Sequence, residues 1–159
     1  MPEALEDDDG FADFFRRTRP LLTRTLTALT DDTRIVEDVV QESLLIAGHR
    51  WAEVGGYDKP EAWVIKVALR RMRRWQAGHR ETTLKAVHDV PHDPIAQRDD
   101  LDELLAAIRG LSPRRAEVIV LHHLLGYSIA EVAEVLCVTE NTVRTHLSLG
   151  RADLKARLR

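Results

Sequence analysis

Residues 128–147, SIAEVAEVLCVTENTVRTHL, decide the fold of the C-terminal part of the chain. Ser128 and Glu131 have capping-box spacing, in which each side chain accepts a hydrogen bond from a free backbone N–H of the other residue at a helix start. Small and apolar residues follow at helical spacing, and after a short break Val143 and Leu147 mark the inner side of a second helix. The stretch therefore predicts a helix-turn-helix.

The second helix has a polar outer side once Val143 and Leu147 point inward. Arg, Asn, Thr and Ser can hydrogen-bond base edges in the major groove, and basic residues further along suit phosphates. The alternative is a helical hairpin with a merely solvated polar side, but the capping box, the small Ala133 and the apolar spacing together favour DNA binding. The candidate DNA-binding residues are Asn141, Thr142, Arg144, Thr145, Ser148, Arg151 and Lys155.

The turn contains Cys137 where such folds favour glycine. If this position requires a positive φ, a residue other than glycine costs on the order of 1 kcal/mol. A buried, apolar Cys137 with ordinary dihedral angles is the alternative.

The rest of the chain predicts an all-α fold. Prolines and glycines are few and lie mostly outside the apolar-periodic stretches, while Leu, Ala, Val and Arg are abundant. In the second predicted helix the buried positions are Val36, Val39, Val40, Ser43, Leu44, Ala47 and Trp51, and in the third they are Ile65, Ala68, Leu69, Met72 and Trp75. Helices are predicted over residues 11–29 (with Pro20 kinking or dividing the element), 34–54, 60–76, 100–109, 113–125, 129–136 and 139 to near the end.

Composition and charge exclude several classes of protein. A single cysteine excludes an internal disulfide framework and a multi-cysteine zinc site. The N-terminus is acidic where a signal peptide is basic, and no apolar run approaches the roughly 18–20 residues of a membrane span, so we expect a cytoplasmic protein without membrane insertion. The net charge of −3 hides two basic segments, residues 66–85 and 139–159, separated by an acidic one.

One side of the predicted helix 60–76 interleaves cations with an aromatic ring. Such a surface suits single-stranded DNA, because it neutralises phosphates and lets bases stack. Trp63 could equally pack against a neighbouring helix. The candidate residues are Trp63, Lys66, Arg70, Arg73 and Arg74.

The second predicted helix carries a stripe opposite its apolar face. At 100° per residue, Asp38, Gln41, Leu45 and His49 align. A solvated amphipathic helix would explain the charges, but a leucine among them is unusual for a purely solvated surface.

Taken together, these motifs resemble the extracytoplasmic-function (group IV) sigma factors of the sigma-70 family. The sequence VEDVVQES at 36–43 is similar to region 2.2, and PEAWV at 60–64 with the following arginines is similar to regions 2.3 and 2.4. LSPRR at 111–115, GYS at 126–128 and TVRT at 142–145 resemble region 4. Many family members have Asn at the position of Arg70 and Asp near that of Arg74, so we expect a divergent subgroup whose −10 base recognition differs in detail.

The resemblance implies a transcription initiation factor with two small helical domains on a flexible linker. A disordered acidic tail (1–10) would precede a three- to four-helix region 2 domain (11–77), a linker (78–99) and a region 4 helix-turn-helix domain (100–159). Region 2 would bind core RNA polymerase, at the β′ clamp helices, and the −10 promoter element, while region 4 would bind the −35 element. An anti-sigma protein is a common partner in the family. The residues implied for polymerase binding are Asp38, Gln41, Glu42 and Leu45.

The sequence leaves two other functions open, a LuxR-type regulator and an enzyme. The C-terminal half also resembles the output domain of LuxR-type regulators, although residues 11–77 lack the alternating strands and helices of a receiver domain. An enzyme would need its histidines, but His122 and His123 are adjacent and should point to different sides of one helix, and His88 and His92 lie in the predicted linker. We expect neither catalysis nor a cofactor.

Overall fold

The computed structural model describes the backbone of residues 10–83 and 100–158, and the side chains of residues 10–78 and 100–158. Within these ranges the regular elements are helices, as the sequence predicts. The predicted acidic tail, apart from Gly10, lies outside the described residues, and so do residues 84–99 of the predicted linker. None of the helices in these ranges combines the length and hydropathy that a membrane span requires.

Four helices form the N-terminal half: α1 (Phe11–Leu29), α2 (Thr33–His49), α3 (Trp51–Val54) and α4 (Pro60–Thr83). Pro20 lies inside α1 but does not divide it. Proline removes one backbone hydrogen bond from a helix, and buried Thr18 and Leu22 anchor α1 on both sides of that point.

The predicted helix 34–54 is two helices, with the break at Arg50. The break brings the ring of Trp51 to 4.8 Å from that of Phe14, between centroids. Gly55 follows closely, and a Cβ there would lie 2.9 Å from the Trp51 side chain. Aromatic packing thus explains why the helix turns before its predicted end.

The predicted buried faces of α2 and α4 are confirmed. The fully buried members are Val36, Val39, Val40, Ser43, Leu44, Ala47, Ile65, Ala68, Leu69 and Met72, while Trp51 and Trp75 are partly buried against the same core.

Helix α4 is longer than predicted and continues to Thr83, six residues into the predicted linker. A single Gly78 costs a helix only about 1 kcal/mol relative to alanine, and the next proline comes at position 91. Loss of apolar periodicity after residue 76 therefore did not mark the end of the helix.

The C-terminal half contains α5 (Asp100–Arg109), α6 (Pro113–Ile119), α7 (Ile129–Leu136) and α8 (Glu140–Arg157). A π-helical turn, Val120–Leu124, extends α6 where one continuous helix was predicted. The predicted capping box is present, because Glu131 N–H donates to Ser128 Oγ and Ser128 N–H donates to the Glu131 carboxylate.

Helices α7 and α8 form the predicted helix-turn-helix. Ala133, Val143 and Leu147 are buried between them. Gly150, further along α8, allows a close approach to α6, since a Cβ there would lie 3.0 Å from a side-chain carbon of Ile119.

The two halves pack against each other. Helix α1 contacts α5, α6 and the π-helical turn, and α4 contacts α7. Buried apolar residues from both halves form one connected core. The two predicted domains are therefore joined by a tertiary interface as well as by the chain.

The turn of the helix-turn-helix places Cys137 in the left-handed region, with φ 55° and ψ 46°. Among the described non-glycine residues it alone has a positive φ. The side chain is exposed, so the alternative of a buried cysteine with ordinary dihedral angles is wrong.

The strain at Cys137 can be measured by comparing two substitutions. We expect Cys137→Gly to be more stable than Cys137→Ala by about 1 kcal/mol, because only glycine adopts positive φ without a Cβ clash. Both variants remove the thiol, so urea unfolding isolates the backbone effect. Equal stability, or a more stable alanine variant, would contradict the strain.

Candidate nucleic-acid and polymerase interfaces

The outer side of α8 is arranged as the sequence predicts. Thr139 caps the helix by accepting from Thr142 N–H, and its hydroxyl also bonds that of Thr142 at 2.8 Å. Thr142 is therefore half-buried and engaged at the cap. The exposed candidates are Asn141, Arg144, Thr145, Ser148, Arg151 and Lys155.

Two of these exposed residues have partners within the chain. Arg144 lies 3.4 Å from the Glu140 carboxylate, an exposed pair of the kind worth less than about 1 kcal/mol. Arg151 donates to His123 Nε2 at 3.0 Å. Such weak, solvated contacts leave both cations able to exchange their partners for a phosphate or a base.

The histidine pair differs from its predicted geometry. The rings of His122 and His123, both in the π-helical turn, are in edge contact, with centroids 4.9 Å apart. His122 Nδ1 donates to the carbonyl oxygen of Tyr127. Burial, together with the nearby charges of Arg151 and His122, lowers the pKa of His123. His122 is thus half-buried and bonded to the backbone, whereas His123 is exposed.

The stripe on α2 is solvent-accessible. Asp38 and Gln41 are exposed, and Leu45 is 56% exposed, which is unusual for a large apolar side chain. Glu42 lies at the edge of the stripe and accepts a 2.8 Å bond from Arg71 of α4. The stripe borders a groove between α1 and α2 whose lining includes Phe11, Phe15, Leu44 and Trp51.

Trp63 lies at the N-terminal end of α4 and is half-buried against the core. Its ring is 6.4 Å from that of Tyr57, and the Arg50 guanidinium lies 5.2 Å from its centroid. Part of the Trp63 ring therefore packs against neighbouring side chains, which was the alternative to stacking on a base. Sequence reasoning missed Tyr57 and Arg50, since neither belongs to the periodic pattern of α4.

Lys66 and Arg70 continue this side of α4 and meet Cys137 of the C-terminal half. Arg70 donates to the sulfur at 3.5 Å. A hydrogen bond from Lys66, with the charge of both cations, lowers the pKa of the Cys137 thiol. Arg74, one turn further along, is exposed.

Arg73 of α4 makes a bidentate ion pair with Glu117 of α6, and this pair links the two halves. Its Nε and Nη2 donate to the two Glu117 carboxylate oxygens at 2.9 and 2.8 Å, and Arg114 adds a third bond at 3.2 Å. Glu117 is only 2% exposed. Sequence reasoning missed Glu117, because an acid on a short helix carries no signal that it is buried.

A second ion pair joins Lys59, just before α4, to Glu131 of the capping box. Hydrogen bonding within this pair raises the pKa of Lys59 and lowers that of Glu131. The Lys59 ammonium also lies 5.9 Å from the ring centroid of Tyr127. Glu131 thus serves both the helix cap and the contact between the halves.

Comparison with known proteins gives matches in both halves. Residues 14–82 match the family model for sigma-70 region 2, and residues 101–154 match the model for sigma-70 region 4. The ECF RNA polymerase sigma factor SigM of Mycobacterium tuberculosis is 32% identical over 153 residues, covering 93% of this chain and 76% of its own length. The RNA polymerase sigma-E factor of Streptomyces coelicolor is 25% identical over 161 residues, covering 99% and 89%.

Solved structures share the fold. The sigma factor RpoE of Bartonella quintana, in complex with the anti-sigma factor NepR, has a TM-score of 0.75 at 23% identity, covering 93% of this chain and 96% of its own. CnrH, in complex with the cytosolic domain of CnrY, has a TM-score of 0.68 at 25% identity, covering 93% and 86%.

Proposed function

The chain belongs to the ECF family of RNA polymerase sigma factors. On that premise we propose which three of its surfaces bind core polymerase, the −10 element and the −35 element. One observation carries the function: region 2 and region 4 matches occur in order on one chain. A LuxR-type output domain would account for the C-terminal half alone. The protein is thus a transcription initiation factor, and sigma factors act by binding rather than by catalysis.

The α2 stripe is the proposed polymerase-binding surface. Asp38, Gln41 and Leu45 combine a charge, an amide and an exposed apolar side chain, a mixture suited to a protein partner. Glu42 contributes at the edge, where Arg71 fixes its orientation. The partner is core RNA polymerase through its β′ clamp helices, which places the action of the chain in the cytoplasm.

The basic side of α4 is the proposed −10 surface. Lys66, Arg70, Arg73 and Arg74 supply cations along the helix, and the exposed part of Trp63 supplies a stacking surface.

The outer side of α8 is the proposed −35 surface. There Asn141, Arg144, Thr145 and Ser148 face base edges with Thr142 at the cap, while Arg151 and Lys155 lie toward the phosphates.

An anti-sigma protein is the proposed regulatory partner. The two structural relatives above were solved as complexes, RpoE with the anti-sigma factor NepR and CnrH with the cytosolic domain of CnrY. The α1–α2 groove beside the α2 stripe offers an apolar surface that such a partner could share with polymerase.

Substitution of the stripe should separate polymerase binding from folding. We expect Asp38→Ala with Gln41→Ala to change the free energy of unfolding by no more than about 0.5 kcal/mol, because both residues are exposed. Core binding in a pull-down, and run-off transcription with purified core polymerase, should fall together. Asp13→Ala with Arg16→Ala, an exposed ion pair on α1 that does not line the α1–α2 groove, is the matched control. If the stripe variant bound core polymerase as tightly as wild type, the α2 stripe would not be the polymerase-binding surface.

Substitutions along α8 should distinguish base contacts from phosphate contacts. In holoenzyme, Arg144→Ala should cost roughly 1–3 kcal/mol and relax the preference at particular upstream base pairs. Lys155→Ala should weaken all upstream sequences alike and reduce the salt dependence by about one phosphate contact. Promoters that vary only in the −35 element provide the comparison. If Arg144→Ala weakened every sequence equally, Arg144 would contact phosphate and α8 would lie rotated in the groove.

A further inference from the structure

Arg151 of α8 has a neutral partner where other arginines of the C-terminal half have acids. Its Nε donates to His123 Nε2 at 3.0 Å. The arginines that pair with a glutamate or an aspartate in this half are Arg114, Arg115 and Arg144. In the described part of the chain no acid forms an ion pair with Arg151, so its positive charge is not cancelled by a carboxylate.

The direction of this bond fixes the protonation state of His123. A guanidinium only donates hydrogen bonds, so His123 Nε2 must accept, and the ring is neutral with its proton on Nδ1. Burial, together with the nearby charges of Arg151 and His122, lowers the pKa of His123. A lowered pKa favours the same neutral ring, and the acceptor is therefore present at neutral pH.

The helices that carry the two residues are closely packed. Gly150 approaches α6 so closely that a Cβ there would lie 3.0 Å from a side-chain carbon of Ile119. The 2.6 Å ion pair of Arg115 with Asp153 joins α6 and α8 nearby. His123 follows Ile119 by about one turn, in the π-helical turn, and so comes beside the residue after Gly150. Such rigid elements position a side chain more precisely than a loop does.

The bond with His123 leaves the far end of the Arg151 side chain free. Only Nε–H is engaged, and the Nη1 and Nη2 groups retain donors that can bind a phosphate through two parallel hydrogen bonds. Lys155 lies one turn further along the same side of α8, and both side chains are exposed. Arg151 therefore need not break its bond with His123 to contact a phosphate.

We propose that His123 is a positioning residue for the −35 contact: it holds the Arg151 guanidinium by its Nε–H and presents the Nη groups to a phosphate of the promoter. This role rests on the proposed function of α8. The gain comes from order, because a free arginine loses rotamer freedom when it binds, whereas an arginine that is already held has less to lose. The His123 ring itself does not contact DNA.

Substitutions of His123 test this role in holoenzyme formed from the full chain and core RNA polymerase. The probe is a fluorescein-labelled promoter duplex that the wild-type holoenzyme selects from a randomised pool, and fluorescence anisotropy measures its binding. We expect His123→Ala to weaken binding by about two- to tenfold, the range for ordering one flexible side chain. His123→Gln should remain within about twofold of wild type, because its amide oxygen can accept from Arg151. A glutamine variant as weak as the alanine variant would overturn the acceptor role.

A double-mutant cycle shows whether His123 acts through Arg151. In an Arg151→Ala background, His123→Ala should change the affinity by less than about twofold. Arg144→Ala is the matched control background, since Arg144 is exposed on the same helix and pairs with Glu140 instead of His123. There His123→Ala should keep its full effect.

Two results of the cycle would contradict the account, and they differ from each other. If Arg151→Ala weakened binding but His123→Ala had the same effect with or without Arg151, the positioning role would be wrong and the phosphate contact of Arg151 would stand. If Arg151→Ala bound the promoter as tightly as wild type, the proposed contact of α8 would be wrong, and the role of His123 with it.

The tautomer of His123 tests the geometry without DNA. Long-range ¹H–¹⁵N correlation spectra of the free full chain, recorded well above the ordinary imidazole pKa, distinguish the two neutral forms. We expect His123 to carry its proton on Nδ1 in wild type and to shift toward the Nε2–H form in Arg151→Ala. A wild-type ring protonated on Nε2 could not accept from Arg151 and would overturn the proposal.

Discussion

The fork between Arg73 and Glu117 is the constraint on which the arrangement of this chain depends. A buried carboxylate is tolerated only when it is paired and hydrogen-bonded, and here two of its three bonds come from the other half of the molecule. Because Glu117 lies on α6, its pairing with Arg73 ties the C-terminal half to α4, beside the contacts of α1 with α5, α6 and the π-helical turn. The ion pair of Lys59 with Glu131 then follows at the other end of the contact.

The same chemistry makes this interface reversible and specific. Arginine recognises a carboxylate and a phosphate through the same planar donors, so a surface built to bind DNA can also bind an acidic surface of its own chain. Along the basic side of α4, Arg73 is engaged by Glu117 of the C-terminal half, while Arg70 and Arg74 remain exposed.

Much of the fold was predictable because the signals are local. The capping box at Ser128, the buried faces of α2 and α4, and the polar outer side of α8 all follow from helical periodicity and were confirmed. Two departures occur where a distant contact decides. Aromatic packing of Trp51 against Phe14 ends α2 early, whereas the continuation of α4 past Gly78 is local, because one glycine costs a helix only about 1 kcal/mol. The pairing of Arg73 with Glu117 spans 44 positions in sequence, and no pattern in either helix indicates it.

Glu117 holds the two halves of the free chain together through Arg73, and a distance across the interface measures whether it does. Spin labels on cysteines introduced at Arg24 of α1 and Ala152 of α8, both exposed, in a Cys137→Ser background, allow pulsed electron paramagnetic resonance of the full chain. We expect one narrow distance distribution when Glu117 is present, and a longer, broader one in Glu117→Gln. A broad distribution already present with Glu117 intact, and unchanged by Glu117→Gln, would contradict it.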